Sequence, residues 1–327
     1  MIESKTHRLR TDRRLKLRDL RILLTVAETG TMGRAAHHLA VSQPVVSKAI
    51  SDLEHAVGVK LFDRSQRGVV PTAYGRTLIK RGIAIFDEMQ QGLKDIETLS
   101  DPASGEVSVG ATASAADAIV APVIDRLSRQ YPRMRFRVLV ADAAPLFGAL
   151  ESRLIEVAIS RPPRPPGDQY QMEVLFHDSL VVVASARNPL STRRQPLALS
   201  ALKHEPWLLS PADSHFGSLQ AGVFRACGLE PPVPVVEVAS AHLRSELLAT
   251  HRFLTIVPGF SMLLPHRRTD VKALSVDLRL PPEPVGLITL KDRSLGPAAQ
   301  LFMDRTRELT KPLAETKAGR AGKRRLS

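Results

Sequence analysis

The sequence predicts a mixed α/β chain: an N-terminal winged helix-turn-helix, one long helix, and a larger two-lobed body of alternating strands and helices. Three observations predict it. Apolar residues recur at helical spacing as far as about residue 99. Short apolar strands then alternate with helices from Glu106 onward. Charge divides the same way: residues 1–85 hold 16 Lys/Arg against 7 Asp/Glu (net +9), residues 86–310 hold 24 against 25 (net −1), and residues 311–327 hold 6 against 1 (net +5). A basic head on a neutral body points to a polyanion as the partner of the head alone, since residues that only solubilise would be spread more evenly.

At 327 residues the chain suggests two or three domains. No apolar run reaches the roughly 18–20 residues needed to cross a bilayer, and Met1–Lys16 lacks an apolar h-region, so neither a membrane span nor secretion is expected. The single cysteine, Cys227, excludes an intramolecular disulfide framework and any multi-cysteine metal site, which fits a reducing cytoplasm.

Taken in order, residues 1–16 read as a basic flexible arm with Arg8, Arg10, Arg13, Arg14 and Lys16. Residues 17–71 form the head. Leu20, Leu23, Leu24 and Ala27 fall at i, i+3, i+4 and i+7 of a helix over Leu17–Glu28 that Gly30 stops. Thr31 can cap a second helix over Met32–Leu39, in which Ala35 and Ala36 permit close packing. Ser42 is the next cap, and Pro44 is tolerated in the first turn of a third helix that ends at Gly58. Val59–Phe62 and Val69–Pro71 read as two short strands of a wing around the loop Asp63–Gly68. Thr72 can cap a linker helix over 72–99, roughly 42 Å long at 1.5 Å per residue.

Residues 100–105 then read as a hinge, with Pro102 and Gly105. Glu106–Gly110, Arg135–Val140 and Glu156–Ser160 are strand candidates separated by helices over Ala116–Gln130 and Pro145–Leu154, which suggests parallel βαβ units. The run Arg161–Gly167 breaks this pattern and is expected to cross between lobes. One lobe is then assigned to 106–160 and 267–310, and the other to 161–266. Leu180–Ser185, Val233–Val238 and Leu254–Val257 continue the pattern in the second lobe. Val285–Leu290 and a helix over Pro297–Leu309 return to the first. Residues 311–327 read as a basic flexible tail.

The third helix carries the sharpest functional signal. Val46, Ala49, Ile50, Leu53 and Val57 form an apolar stripe for packing, while Pro44, Ser47, Lys48 and Ser51 lie on another face that is short, polar and cationic. Such a face suits a major groove about 12 Å wide, and Gln43 can offer its amide to a base edge. The alternative is a helical hairpin with a solvated polar face.

Thr31, Ala35, Ala36, Leu39, Ser42, Gln43, Pro44, Ser47, Ile50, Leu53, Glu54, Gly58, Leu61, Phe62 and Arg64 together closely resemble the winged helix-turn-helix signature of LysR-type transcriptional regulators, with Thr72 and Gly75 matching the opening of that family's linker helix. The resemblance is sharp over residues 17–78 and looser, in layout and length, to residue 310. It implies a head that binds double-stranded DNA and an effector domain resembling periplasmic binding proteins, in which a small metabolite tunes transcription. Position by position, Gln43, Pro44, Ser47 and Lys48 would face bases or phosphates, and Ser42 would cap the helix and touch the DNA backbone. Arg64 and Arg67 would reach phosphate or a minor groove from the wing, unless Arg64 pairs with Asp63 or Glu54.

The resemblance also implies dimerisation through the linker helix. Ile79, Gly82, Phe86, Met89, Leu93 and Ile96 alternate spacings of four and three, as in a coiled-coil seam. The alternative is a helix packed on its own head. A homodimer or homotetramer on an inverted-repeat operator follows, with RNA polymerase a further candidate partner.

In the effector domain the resemblance places Thr112 and Ser114, Ser160 and Arg161, and Ser210 and His215 around an interlobe cleft, with Ser240 a weaker candidate. Helix capping is the rival role for Thr112, Ser114 and Ser240, and a surface position is the rival for His215. An organic acid and a sugar both suit these groups as effector. Glu156 stands where the family usually has Asp before its third strand. No cofactor or metal is implied. The chain has no G-x-S-x-G, P-loop, G-x-G-x-x-G or H-E-x-x-H pattern, and His37 and His38 point about 100° apart on a helix, so an enzyme is not expected. The remaining rival is an architectural DNA-binding protein without effector control, which leaves some 200 residues of neutral α/β structure unexplained.

Overall fold

A computed structural model of the chain describes residues 15–65, 68–100, 104–162, 167–193, 195–262 and 270–315, with the backbone alone at 64, 65, 97–100 and 104. The chain divides after Gly92 into two compact units.

The first unit begins with α1 (Leu17–Thr29), α2 (Met32–His38) and α3 (Gln43–Val57). Gly30 and Gly58 close α1 and α3 in the left-handed region, at φ 72° and 75°, where a side chain would be strained. Thr31 caps α2 by accepting the Arg34 N–H at 3.2 Å. Leu23, Val26, Ala35, Val46, Ile50, Leu53 and Leu61 build one buried core. The wing is an antiparallel pair, β1 (Phe62–Ser65) and β2 (Gly68–Pro71), with Phe62 opposite Pro71. Its first strand starts three residues later than the expected Val59–Phe62. The buried Glu54 of α3 explains the shift, because its Oε1 accepts the N–H groups of Leu61 and Phe62 at 2.8 and 3.3 Å while Oε2 accepts from Lys60 Nζ at 2.9 Å. The Leu61 N–H just before the ladder and the Phe62 N–H at its first residue are thereby bonded to a side chain.

Helix α4 (Ala73–Ser100) is capped by Thr72, whose Oγ1 accepts the Gly75 N–H at 3.0 Å. Gly75 is required there, since a Cβ would stand 2.0 Å from the Leu61 carbonyl oxygen. The expected seam divides in two. Ile79 and Phe86 pack against the head's own core, and Gly82 lies buried against Leu24. Their place in the seam is corrected, because the head core reaches them first. Met89, Leu93 and Ile96 remain exposed and are joined by Ile85, at 41–61%.

The second unit holds two five-stranded sheets. In the first lobe, β3 (Ser104–Ala111) pairs in parallel with β4 (Arg133–Val140) and β5 (Val157–Ser160), and antiparallel β12 (Glu283–Leu290) joins β5 to β6 (Tyr170–Asp178). Between β3 and β4 run a helical turn over Ala113–Ala115, a π turn over Ala116–Val120 and α5 (Ala121–Gln130); α6 (Ala143–Glu151) precedes β5. Buried Glu156 ties β3 to β5 by accepting the Ser108 N–H at 2.8 Å.

The second lobe orders its strands β11 (Val271–Ala273), β7 (Leu180–Ser185), β10 (Leu254–Pro258), β8 (Trp207–Leu209) and β9 (Val236–Glu237), with α7 (His215–Ala226) and α8 (Ala241–Leu248). Trp207, Phe224, Leu254 and Ile256 anchor its core.

The lobe boundaries expected at 161 and 267 are both displaced. β6 is an edge strand of the first sheet, so the Arg161–Gly167 run joins two strands of one lobe and the crossing falls at Asp178–Leu180. β11 pairs with β7 and belongs to the second lobe. The expected hinge is shortened, because Ser104 and Gly105 already belong to β3. The expected tail is shortened too: α9 (Pro297–Ala314) continues through Pro312 with Leu313 buried in the first lobe's core. Residues 1–14 of the arm and 316–327 of the tail lie outside the described residues.

Candidate functional site

Two surfaces carry the predicted site residues. On the head, the stripe Val46, Ala49, Ile50 and Leu53 fixes α3 against α1 and α2, and leaves Ser42, Gln43, Pro44 and Lys48 exposed with Ser47 half-buried. Ser42 occupies the cap position but its hydroxyl makes no capping bond, contrary to expectation. The reason is local. A cap oxygen serves the N–H of the second or third helical residue. The second is Pro44, which has none, and the third, Val45, donates to the Ser42 main-chain oxygen at 3.1 Å. The Ser42 hydroxyl and the Gln43 amide are therefore presented outward at the positive end of a helix.

The wing is held beside this surface, since the Val69 N–H donates to the Gly30 carbonyl at 2.9 Å. The Arg64 side chain and the whole of Arg67 lie outside the described residues, while Glu54, one expected partner of Arg64, is engaged by Lys60 at 2.9 Å.

In the second unit Thr112, Ser114, Ser160, Arg161, Ser210 and His215 all line one cavity of about 540 Å³. Strand ends bring them together. Thr112 and Ser114 follow β3, Ser160 ends β5 with Arg161 next to it, Ser210 follows β8, and His215 opens α7. Gly217 makes the last approach possible, since a Cβ there would stand 2.0 Å from the Pro211 carbonyl oxygen.

The roles of these groups differ. Ser214 and Ser240 cap α7 and α8, accepting the Gly217 and Leu243 N–H groups at 2.9 and 3.2 Å. Thr112 makes no such bond. Ser160 is 2% exposed, and neither its Oγ nor the buried Nε2 of His215 has a hydrogen-bond partner among the described residues. Buried polar atoms normally find a partner, so both are left able to bond a ligand or water in the cavity.

Arg161, expected to hold an acid, has its charge met already. Its Nη2 lies 3.0 Å from Asp178 and its Nη1 2.9 Å from Glu283, so it joins the ends of β5, β6 and β12. Asp178 Oδ1 in turn accepts the Phe260 N–H at 2.7 Å, linking this cluster to the second lobe. Burial raises the Asp178 carboxyl to about 6, outweighing the opposing pull of Arg161 and of the Phe260 and Gly259 N–H groups.

Sequence reasoning missed Arg244, Asp117 and Asp142, which also line the cavity. Arg244 is posed by Nη2 bonds to Ser210 Oγ and the Val238 carbonyl, both 2.8 Å, and lies 5.9 Å from the centre of the Phe216 ring. The one available signal was its place one turn after Ser240. That signal does not separate it from a surface arginine.

Two family descriptions match the chain: "Bacterial regulatory helix-turn-helix protein, lysR family" over residues 17–76, and "LysR substrate binding domain" over residues 100–311. The transcriptional regulator GbpR of Azospirillum brasilense is 31% identical over 88% of this chain and 84% of its own length. An uncharacterised Escherichia coli regulator, YdcI, is 27% identical over 90% and 96%. Among solved structures, a full-length single-site variant of OxyR from Pseudomonas aeruginosa shares the fold at a TM-score of 0.63 and 20% identity, covering 89% of this chain and 97% of that one. CbnR bound to its target DNA does so at 0.59 and 21%, covering 90% and 100%. The chain belongs to the LysR family of DNA-binding transcriptional regulators, with an N-terminal helix-turn-helix and a two-lobed effector domain.

Proposed function

We propose that this regulator reads an inverted-repeat operator as a dimer, or as a tetramer made of two such dimers, and that a small molecule held between the lobes changes how it does so. The observation that carries the reading is the first turn of α3, where Ser42 and Gln43 stand exposed above a fixed apolar stripe, within a stretch, residues 1–85, of net charge +9. Gln43, Ser47 and Lys48 contact base edges or phosphate from that turn, while Pro44 shapes it and Ser42 touches the backbone. Arg64 and Arg67 add wing contacts.

Pairing uses the exposed stripe Ile85, Met89, Leu93 and Ile96 of α4, a narrower seam than the sequence suggested. Two heads joined this way read two half-sites. RNA polymerase is a candidate further partner of the bound dimer. The cavity serves as a receptor site and not a catalytic one, with Thr112, Ser114, Ser160, Ser210 and His215 in its wall and Arg161 as a brace behind them. A cavity walled by both lobes favours this over an architectural role. No described helix is long and apolar enough to cross a membrane. A DNA partner and a single cysteine support a place in the cytoplasm.

The test is selection of bound sequences from random duplex DNA by the full-length protein at physiological salt. A two-fold-symmetric motif should be enriched, with half-site centres separated by a whole number of helical turns. Recovery without any enriched sequence would leave only charge-driven binding and overturn the reading.

A further inference from the structure

The two sides of the cavity wall differ in their charged side chains, although helix N-termini reach it from both lobes, at Ala113 and Ala143 on the first as at His215 and Ala241 on the second. On the second-lobe side it carries the Arg244 guanidinium, and the first turns of α7 and α8 end there at Ser214 and Ser240. Both helices are long enough to present positive N-terminal ends, of 12 and 8 residues. His215 adds a buried ring nitrogen without a partner among the described residues. On the first-lobe side the wall carries two exposed carboxylates, Asp117 on the π turn and Asp142 before α6, together with the unpartnered and buried Ser160 Oγ. Asp142 holds the cap position of α6 without spending its carboxylate on a capping bond. Arg161 supplies no charge to offset this, because Asp178 and Glu283 neutralise it.

We propose that the effector is a small organic anion that also carries hydrogen-bond donors. Its acidic group lies on the second lobe against Arg244 and the N-termini of α7 and α8. Its hydroxyls or amine lie on the first lobe against Asp117 and Asp142. This rests on the effector-cleft reading above and narrows it to one ligand class and one orientation. Charge-assisted bonds from a guanidinium hold a carboxylate or phosphate, and a carboxylate wall accepts only from donors. A neutral polyol satisfies the first lobe and leaves the second unmatched. A simple fatty acid does the reverse and places carbon chain against two carboxylates.

The experiment is a thermal-shift and calorimetric comparison on the full-length protein, using acids paired with neutral or donor-free counterparts: gluconate with glucose, 3-phosphoglycerate with glycerol, glutamate with butyrate. At least one donor-bearing acid should raise the melting midpoint, and its counterpart should not. Arg244→Gln should weaken that acid at least tenfold. Asp142→Asn, at an exposed position, should weaken the same acid by a smaller factor. Unchanged melting midpoints of the ligand-free variants show that neither has misfolded.

A neutral compound that binds as tightly as its acid, an acid unaffected by Arg244→Gln, or no stabilising acid in the panel overturns the assignment. The two readings fail separately. A bound neutral compound that alters operator affinity leaves the effector cleft standing without the anion, whereas a ligand that binds and changes neither DNA affinity nor DNA bending removes the cleft's regulatory role.

Discussion

The recognition turn of α3 and the effector cavity solve opposite problems with the same residue types. On the head, Ser42, Gln43, Ser47 and Lys48 come from seven consecutive residues and face outward, so one helix and its apolar stripe place them. In the cavity, Thr112, Ser160, Ser210 and Arg244 come from four separate segments of two lobes, and other side chains or strand ends hold each in place. The first surface is fixed by local structure and waits for a partner that brings its own order. The second exists only when both sheets are formed. Damage to the two should therefore differ in reach.

The largest expected effect sharpens this contrast. Leu23 is fully buried in the head core. Leu23→Ala should cost about 2–5 kcal/mol of head stability and depress DNA binding, while ligand binding in the cavity survives. Equal loss of both, followed by calorimetry and DNA-binding titration, would show that the units do not fold independently.

Glu54→Gln comes next, because it keeps an acceptor for Leu61 and Phe62 but loses the charge paired with Lys60. It should cost about 1–3 kcal/mol and loosen the wing, seen as faster hydrogen exchange at Leu61 and Phe62.

Acid should separate the units by sign. Burial opposes ionisation of Glu54, but the bonds from Lys60, Leu61 and Phe62 outweigh it and hold the carboxyl below its usual range. Its stabilising contribution is present above the ordinary carboxylate pKa and is lost as pH falls through the lowered value. Asp178 runs the other way. Raised to about 6, it stabilises the folded body most below pH 4, and that contribution fades as pH rises to about 6. Between pH 4 and 6, Asp178→Asn should remove a falling component from the body's stability curve and leave the head's unchanged. Parallel curves for wild type and variant would contradict this.

The smallest effect belongs to the exposed pair Arg129–Asp125 at 3.1 Å, where Arg129→Ala should change stability by less than about 0.5 kcal/mol.

What the sequence made legible follows the same division. The three head helices, the glycine stops of α1 and α3 and the outward face of α3 could be read because each depends on a pattern within about 15 residues. The cavity residues at strand ends were reachable through the family resemblance. β6 was missed because the proline-rich run before it looked like a lobe boundary, and because as an edge strand it is only partly buried. The apolar face of α4 read as one continuous stripe because spacing shows that a face is apolar but not what covers it. Leu24 and the head core cover its first half. Arg244 was invisible for a related reason: its importance lies in what Ser210 and Val238 do to it across the lobe.

The central claim is that the α3 turn reads sequence rather than charge. The most direct measurement is the affinity of wild type, Gln43→Ala and Ser47→Ala for the selected operator and for a scrambled duplex of equal length, at several salt concentrations. Each variant should lose about 1–3 kcal/mol on the operator and almost nothing on scrambled DNA, with an unchanged salt slope. Equal losses on both duplexes would contradict the claim and reduce the turn to a backbone contact.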